Sequence, residues 1–153
     1  MINYIIKTCM QKKEKLTEAN VKFSKNELKQ DSGFNKVSDG FMDAMYFNFR
    51  FTQSGTVNAS HPYIIGTYTR DSFYCKHYRD FVKAAEIDVL VISGSPSVRI
   101  IELIYPELKG KFKYCGEPVC YEGTMFVSMP HPSRISDKAI ADVVNKIAGA
   151  YKK

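Results

Sequence analysis

Cysteine is scarce: four residues in 153, scattered along the chain, too few for a disulfide scaffold at this length. Long apolar runs are missing, and none approaches the ~18 residues of a membrane span. Met1 to Met10 carry only Tyr4-Ile5-Ile6 as an apolar stretch, followed by Lys7. That segment lacks the apolar core and small-residue cleavage site of a signal peptide, so the expectation is a soluble, intracellular (cytoplasmic) protein with no membrane partner. Metal-ligand spacing is equally thin. Cys115 and Cys120 form half of a zinc knuckle at most, and His61, His77 and His131 stand alone. The two thiols are expected to be half-buried beside a hairpin turn, with no metal and no cofactor. What is present fits a globular chain. Apolar residues make up 44% and charged residues 25%, which excludes wholesale disorder, and the length suits one domain. A net charge of +6 favours a polyanionic partner.

Two zones divide the sequence. Residues 1–43 hold eight of the 22 cationic side chains and few apolar positions. Ser24-Lys-Asn-Glu27 has the form of a capping box and predicts a short helix near 24–30. Gln30 to Gly40, with Asp31-Ser-Gly33 and Ser38-Asp-Gly40, reads as loop. This basic segment is either a solvated face or an arm that seeks phosphate.

Residues 44–153 alternate strand and helix patterns. Ala44 to Phe51 places Phe47, Phe49 and Phe51 on one face, which is strand periodicity. Thr52 to Arg70 is a long polar stretch. From Asp71, residues Tyr74, Tyr78, Phe81, Val82 and Ala85 follow helical spacing. Ile87 to Ser93 is short and apolar throughout, as a buried parallel strand requires. Gly94-Ser95-Pro96 opens a further helix with Ser95 as N-cap and Pro96 in its first position, and Pro106 stops it. A hairpin is expected around Lys111 to Glu122, a strand over Thr124 to Met129, and a last helix from Ser136 that buries Ile140, Val143, Val144, Ile147 and Tyr151. That order predicts a three-layer α/β/α fold with a central, mostly parallel sheet.

Sheets of this kind hold ligands outside the carboxyl ends of their strands. Asn48 to Gln53, Gly94-Ser95 and Pro130-His131-Pro132-Ser133-Arg134 fall there. In the last, two prolines bracket a histidine and stiffen the loop. Its imidazole is either aimed outward or caps a neighbouring carbonyl.

In order and spacing, Ala44 to about Ala150 resembles the uracil-DNA glycosylase superfamily. Met45-Tyr-Phe-Asn48-Phe-Arg looks like the strand that ends in the base-reading asparagine. Tyr74-Cys75 through Val89-Leu-Val-Ile-Ser-Gly94 looks like the helix followed by "P-x-V-I-V-x-L-G". Leu108-Lys-Gly110 is similar to the "R-G" before the last strand. Met129-Pro-His131-Pro-Ser133-Arg134 looks like the "H-P-S" loop, the most specific of the four.

The resemblance implies base flipping from DNA into a pocket. Asn48 would then read the base edge, with donor and acceptor side by side. His131 would donate to the base carbonyl as negative charge develops on the leaving group. Ser133 would hold a phosphate with Ser95 on the same rim, and Arg134 sits where the superfamily wedges a side chain into the duplex. The superfamily's first motif, with its water-activating acid, has no counterpart upstream of Ala44. Asp31 and Asp39 are the acids nearest that role. Some relatives carry an iron–sulfur cluster. Cys75 matches one ligand position, its partners are missing, and no cluster is expected. The expectation is therefore a catalytically weak or silent glycosylase-fold protein that binds DNA, or a protein partner, through its strand-end loops. An active divergent DNA glycosylase and an unrelated α/β nucleotide-binding protein are the alternatives.

Overall fold

The structure, a computed structural model, describes residues 15–30, 49, 60–70, 72–131 and 135–150. Its class is mixed α/β, with five helices and a small three-stranded mixed sheet among the described residues. The chain divides into two compact units, Met1–Phe47 with Pro132–Lys153, and Asn48–His131.

In the first unit, helix α1 spans Glu18–Gln30. It begins a full turn and more before the expected capping box, because a different cap is used. The Asn20 backbone N–H donates to the Thr17 hydroxyl at 3.3 Å, and the Thr17 N–H donates back to Asn20 Oδ1 at 3.0 Å. Ser24 to Glu27 therefore lie inside the helix. The last helix of the chain, Asp137–Ala150, is capped by Ser136, whose hydroxyl accepts from Ala139 N–H at 3.2 Å. Val21 packs with Ile140, Ala141 and Val144, flanked by Leu16 and Ile135. Asn145 pairs with both backbone groups of Leu16: Leu16 N–H donates to its Oδ1 at 2.7 Å, and its Nδ2 donates to Leu16 C=O at 2.8 Å. Lys25 pairs with Asp137 across the same two helices.

In the second unit, α2 (Ser60–Arg70) and α3 (Ser72–Ala84) precede strand β1 (Val89–Ser93). Helix α4 (Ser95–Ile104) and a 3-10 turn (Pro106–Leu108) lead to the hairpin β2 (Val119–Tyr121) and β3 (Thr124–Met129). The helix after β3, Asp137–Ala150, is α5. The sheet order is β1-β3-β2. β1 runs parallel to β3, with Val89 opposite Met125 and Ser93 opposite Met129. β2 runs antiparallel to β3, with Tyr121 opposite Thr124. Among the described residues the sheet is thus mixed, with one parallel and one antiparallel pair. Glu122-Gly123 explains why: both residues have positive φ, 49° and 84°, as a two-residue type I′ hairpin requires. The hairpin accordingly lies at 119–129, later than the expected 111–122.

All six residues of β3 are buried, including Ser128. Its hydroxyl donates to Lys113 C=O at 2.8 Å and accepts from Cys115 N–H at 2.6 Å, so the buried polar group is satisfied. Those bonds pin the irregular segment before β2. Phe126 meets Tyr105 and Phe112 edge-on, and Ile100, Ile101 and Ile104 bury the inner face of α4. Each such side chain contributes roughly 1.5–3 kcal/mol by leaving water. Arg79 links three elements: its guanidinium meets Glu107 at 3.1 Å and the Tyr121 hydroxyl at 3.4 Å, and lies 5.0 Å from the Tyr105 ring centroid.

Thr52–Arg70, a long polar stretch in sequence, is helical over Ser60–Arg70. Gly66 and the β-branched residues argue against a helix by propensity, but burial of Tyr68 overrides them. The expected strand over Ala44–Phe51 lies outside the described residues apart from Phe49, where the backbone bends. The loop over 31–40 and Tyr151 also lie outside them.

Helix α3 ends in a Schellman motif. Ile87 N–H reaches Val82 C=O, Glu86 N–H reaches Lys83 C=O, and Glu86 takes φ 48°. A side chain in that conformation is strained, so Glu86→Gly should raise stability by ~0.5–1 kcal/mol in urea unfolding. An unchanged or lower midpoint would contradict the assignment of this turn.

Alkaline titration gives a second expectation. Burial, opposed by the Arg79 guanidinium, pushes the Tyr105 phenol up to about 12, and burial also raises Tyr68 and Tyr78. The folded chain holds these protons more tightly than the unfolded chain, whose phenols titrate near ~10. Their stabilising contribution is complete below that value and is lost as pH rises from about 10 to 12. Melting temperature should fall over this window, with phenolate absorbance appearing as the fold is lost; full ionisation near pH ~10 with the fold intact would refute it.

Candidate functional site at the strand carboxyl ends

The site is built on the parallel pair. β1 and β3 leave the sheet side by side, and their ends are tied by a hydrogen bond from Gly94 N–H to Met129 C=O at 2.9 Å. At the opposite end Met125 N–H donates to Asp88 C=O at 2.8 Å, which closes the ladder. Gly94-Ser95 and Pro130-His131 therefore emerge from one edge. Two of the segments singled out in the sequence are brought together in this way.

Gly94, rather than Ser95, is the N-cap of α4. Its φ of 85° and ψ of 144° belong to a region that is nearly exclusive to glycine, and no side chain caps the helix. Pro96 sits in the first turn, where its missing N–H costs nothing. Ser95 is consequently released from capping duty and is exposed, as is His131. Asn48, Ser133 and Arg134 lie outside the described residues, as do Asp31 and Asp39.

Next to Asn48 in sequence, Phe49 is firmly held. Its ring stacks on Tyr78 at 5.3 Å and 20° and meets Tyr68 edge-on at 6.3 Å, while its carbonyl accepts from the Tyr68 hydroxyl at 2.8 Å. Tyr68 and Tyr78 thus anchor the chain at Phe49 to α2 and α3.

An open groove of about 750 Å³ lies beside α4. Ile65, Gly66, Thr69 and Arg70 of α2 form one wall, and Ser95, Pro96 and Arg99 of α4 the other. A Cβ at Gly66 would meet nothing within 4 Å. Arg70 and Arg99 were not singled out in the sequence. Their signal is helical spacing: Arg99 stands four residues after Ser95, one turn along the same face, but Arg70 falls in the long polar stretch, where no periodicity marks a face.

Three of the four cysteines lie among the described residues, all as free thiols. Cys75 lies 3.4 Å from the Tyr68 carbonyl and 3.7 Å from that of Leu103. Cys115 and Cys120 are exposed rather than half-buried, and Cys115 precedes the hairpin instead of flanking its turn. Among the described residues no three His, Cys, Asp or Glu side chains gather as a metal site would need. No described helix is long and apolar enough to cross a membrane.

No family model, curated protein or solved structure matches this chain.

Gly94→Ala tests how the edge is built. The new Cβ would come no closer than 3.8 Å, to Pro96, so steric overlap is not the issue. The backbone conformation alone should cost ~1–3 kcal/mol. A smaller loss, read from chemical denaturation, would mean that the loop relaxes without the strained geometry.

Proposed function

We propose that this chain is a uracil-DNA-glycosylase-like α/β protein, catalytically weak or silent, that binds DNA through the loops at its strand carboxyl ends. One observation supports the reading above the rest. The strand that precedes Gly94-Ser95 lies parallel and adjacent to the strand that precedes Pro130-His131, and the two ends are hydrogen-bonded. The sequence resemblance needs that juxtaposition, since its phosphate-contacting turn and its histidine loop must face one ligand. The net charge of +6 suits a polyanionic strand.

In this reading, Ser95 and Ser133 contact phosphates and Arg134 enters the stack. Asn48 and His131 contact the flipped base. A base reader and a stabiliser for the departing base are then assigned. No residue is assigned to position or activate water, and that loss typically costs ~10²–10⁴-fold in rate. A finer architecture is proposed with it: three layers, with a strand over Ala44–Phe51 extending the parallel side of the sheet.

Two measurements test the proposal. A labelled DNA oligonucleotide should bind with an affinity that falls steeply from low to moderate salt, and Arg134→Ala should weaken it without lowering the melting temperature. Alkaline cleavage of a uracil-containing strand after long incubation with excess protein should show no excision, or excision ~10²–10⁴-fold slower than a typical glycosylase gives. Robust excision abolished by His131→Ala or Asn48→Ala would replace the silent reading with an active enzyme. Absence of salt-dependent DNA binding would remove the DNA reading altogether.

A further inference from the structure

We infer that the groove between α2 and α4 is a phosphate-binding site in which Arg70 and Arg99 together grip the phosphodiester backbone of a single-stranded nucleic acid. The inference rests on the reading that this edge takes DNA, and it assigns the contact to two residues that the sequence resemblance does not contain.

The argument begins with unspent charge. Arg70 and Arg99 both line the groove and are exposed, and neither has a hydrogen-bond or ion-pair partner among the described residues. Arg79 is different, since its guanidinium is committed to Glu107 and Tyr121. Glu102, three residues beyond Arg99, forms no ion pair with it and accepts instead from the Gly110 N–H at 3.1 Å. Two guanidinium groups from different helices, unpaired among the described residues, therefore share one concave surface. Like charges so placed repel, and an anion between them removes the repulsion.

The shape favours a phosphate carried on a larger group. A volume of about 750 Å³ falls within the ~300–1,000 Å³ of typical ligand sites and exceeds what a bare ion fills. Half-buried Ile65 and Pro96 supply apolar surface beside the cations, suited to a sugar face. Thr69 turns its hydroxyl back to Ile65 C=O at 2.8 Å, so it adds no competing donor. The end of α4 contributes little here, because Pro96 has no N–H to offer. Recognition must come from the guanidinium forks, which match phosphate oxygens two at a time. The groove is open, as a strand passing through would require, and Ser95 places it at the same edge as the Gly94–Met129 junction.

The test compares a labelled single-stranded DNA oligonucleotide with a deoxynucleoside monophosphate. Binding is measured for the full chain and for Arg70→Ala, Arg99→Ala and the corresponding Lys variants across a salt series. Each Ala variant should bind the strand about tenfold or more weakly at low salt, and the log-affinity against log-salt slope should shrink by ~0.7 per lost phosphate contact. The Lys variants should keep the slope and lose part of the affinity. All four should melt as the parent does, since the replaced side chains are exposed and hold no ion pair among the described residues. Strand binding that is unaffected by both Ala variants overturns the groove assignment and leaves the DNA reading standing. Failure of the parent chain to bind any strand overturns the DNA reading. If the monophosphate alone binds, in an arginine-dependent manner, the phosphate site holds and its ligand is a free nucleotide.

Discussion

Burial of β3 on both faces is the constraint on which the second unit depends. Thr124–Met129 is the middle strand, so its backbone must be satisfied by β1 on one side and β2 on the other. A fully buried strand with an unpaired edge would leave polar backbone groups without water or partner, at a cost comparable to the hydrogen bonds lost. The hairpin turn supplies one neighbour locally. The other is Val89–Ser93, over thirty residues earlier, and the connection between two parallel strands must include a crossover, here with α4 in it. Once that pair is in register, the exits of both strands coincide.

Backbone geometry then decides what reaches that edge. Positive φ turns the chain at Glu86 at the end of α3, at Gly94 at the start of α4 and at Glu122-Gly123 between β2 and β3, as it does at Gly110 and Cys115. Glycine meets the requirement without strain at Gly94 and Gly123. Glutamate holds a left-handed conformation at Glu86 and Glu122, where surrounding hydrogen bonds and strand pairing outweigh the penalty. Gly94 also removes Ser95 from the capping role, which leaves an exposed hydroxyl at the rim.

Charge is distributed by the same logic. Arg79 is held against Glu107, Tyr121 and Tyr105, where it ties α3 to the turn after α4 and to β2. Lys25 pairs with Asp137 within the first unit. Arg70 and Arg99 stand apart from this network, both on the groove. A total charge of +6 could not distinguish bound cations from unspent ones, because that distinction is set by neighbours in space.

Periodicity made much of the fold legible. The helices at 72–84, 95–104 and 137–150 and the strands at 89–93 and 124–129 each carry a repeat of 3.6 or a short apolar run with clear punctuation. Local chemistry misled where two signals competed. Ser24–Glu27 has the form of a cap, but Thr17 and Asn20 form one earlier, and Val21 at 0% exposure carries the helix through. Ser60–Arg70 has poor helix propensity and folds as a helix because Tyr68 is buried against Phe49 and Tyr74. The candidate site divides the same way. Ser95 and His131 could be chosen from their positions after strands, since a strand's carboxyl end is recognisable in one dimension. The meeting of their strand ends depends on which strand lies beside which, and the groove that Arg70 and Arg99 line depends on how α2 packs beside α4. Strand neighbours and free cations are properties of long-range contacts, and no local pattern encodes them.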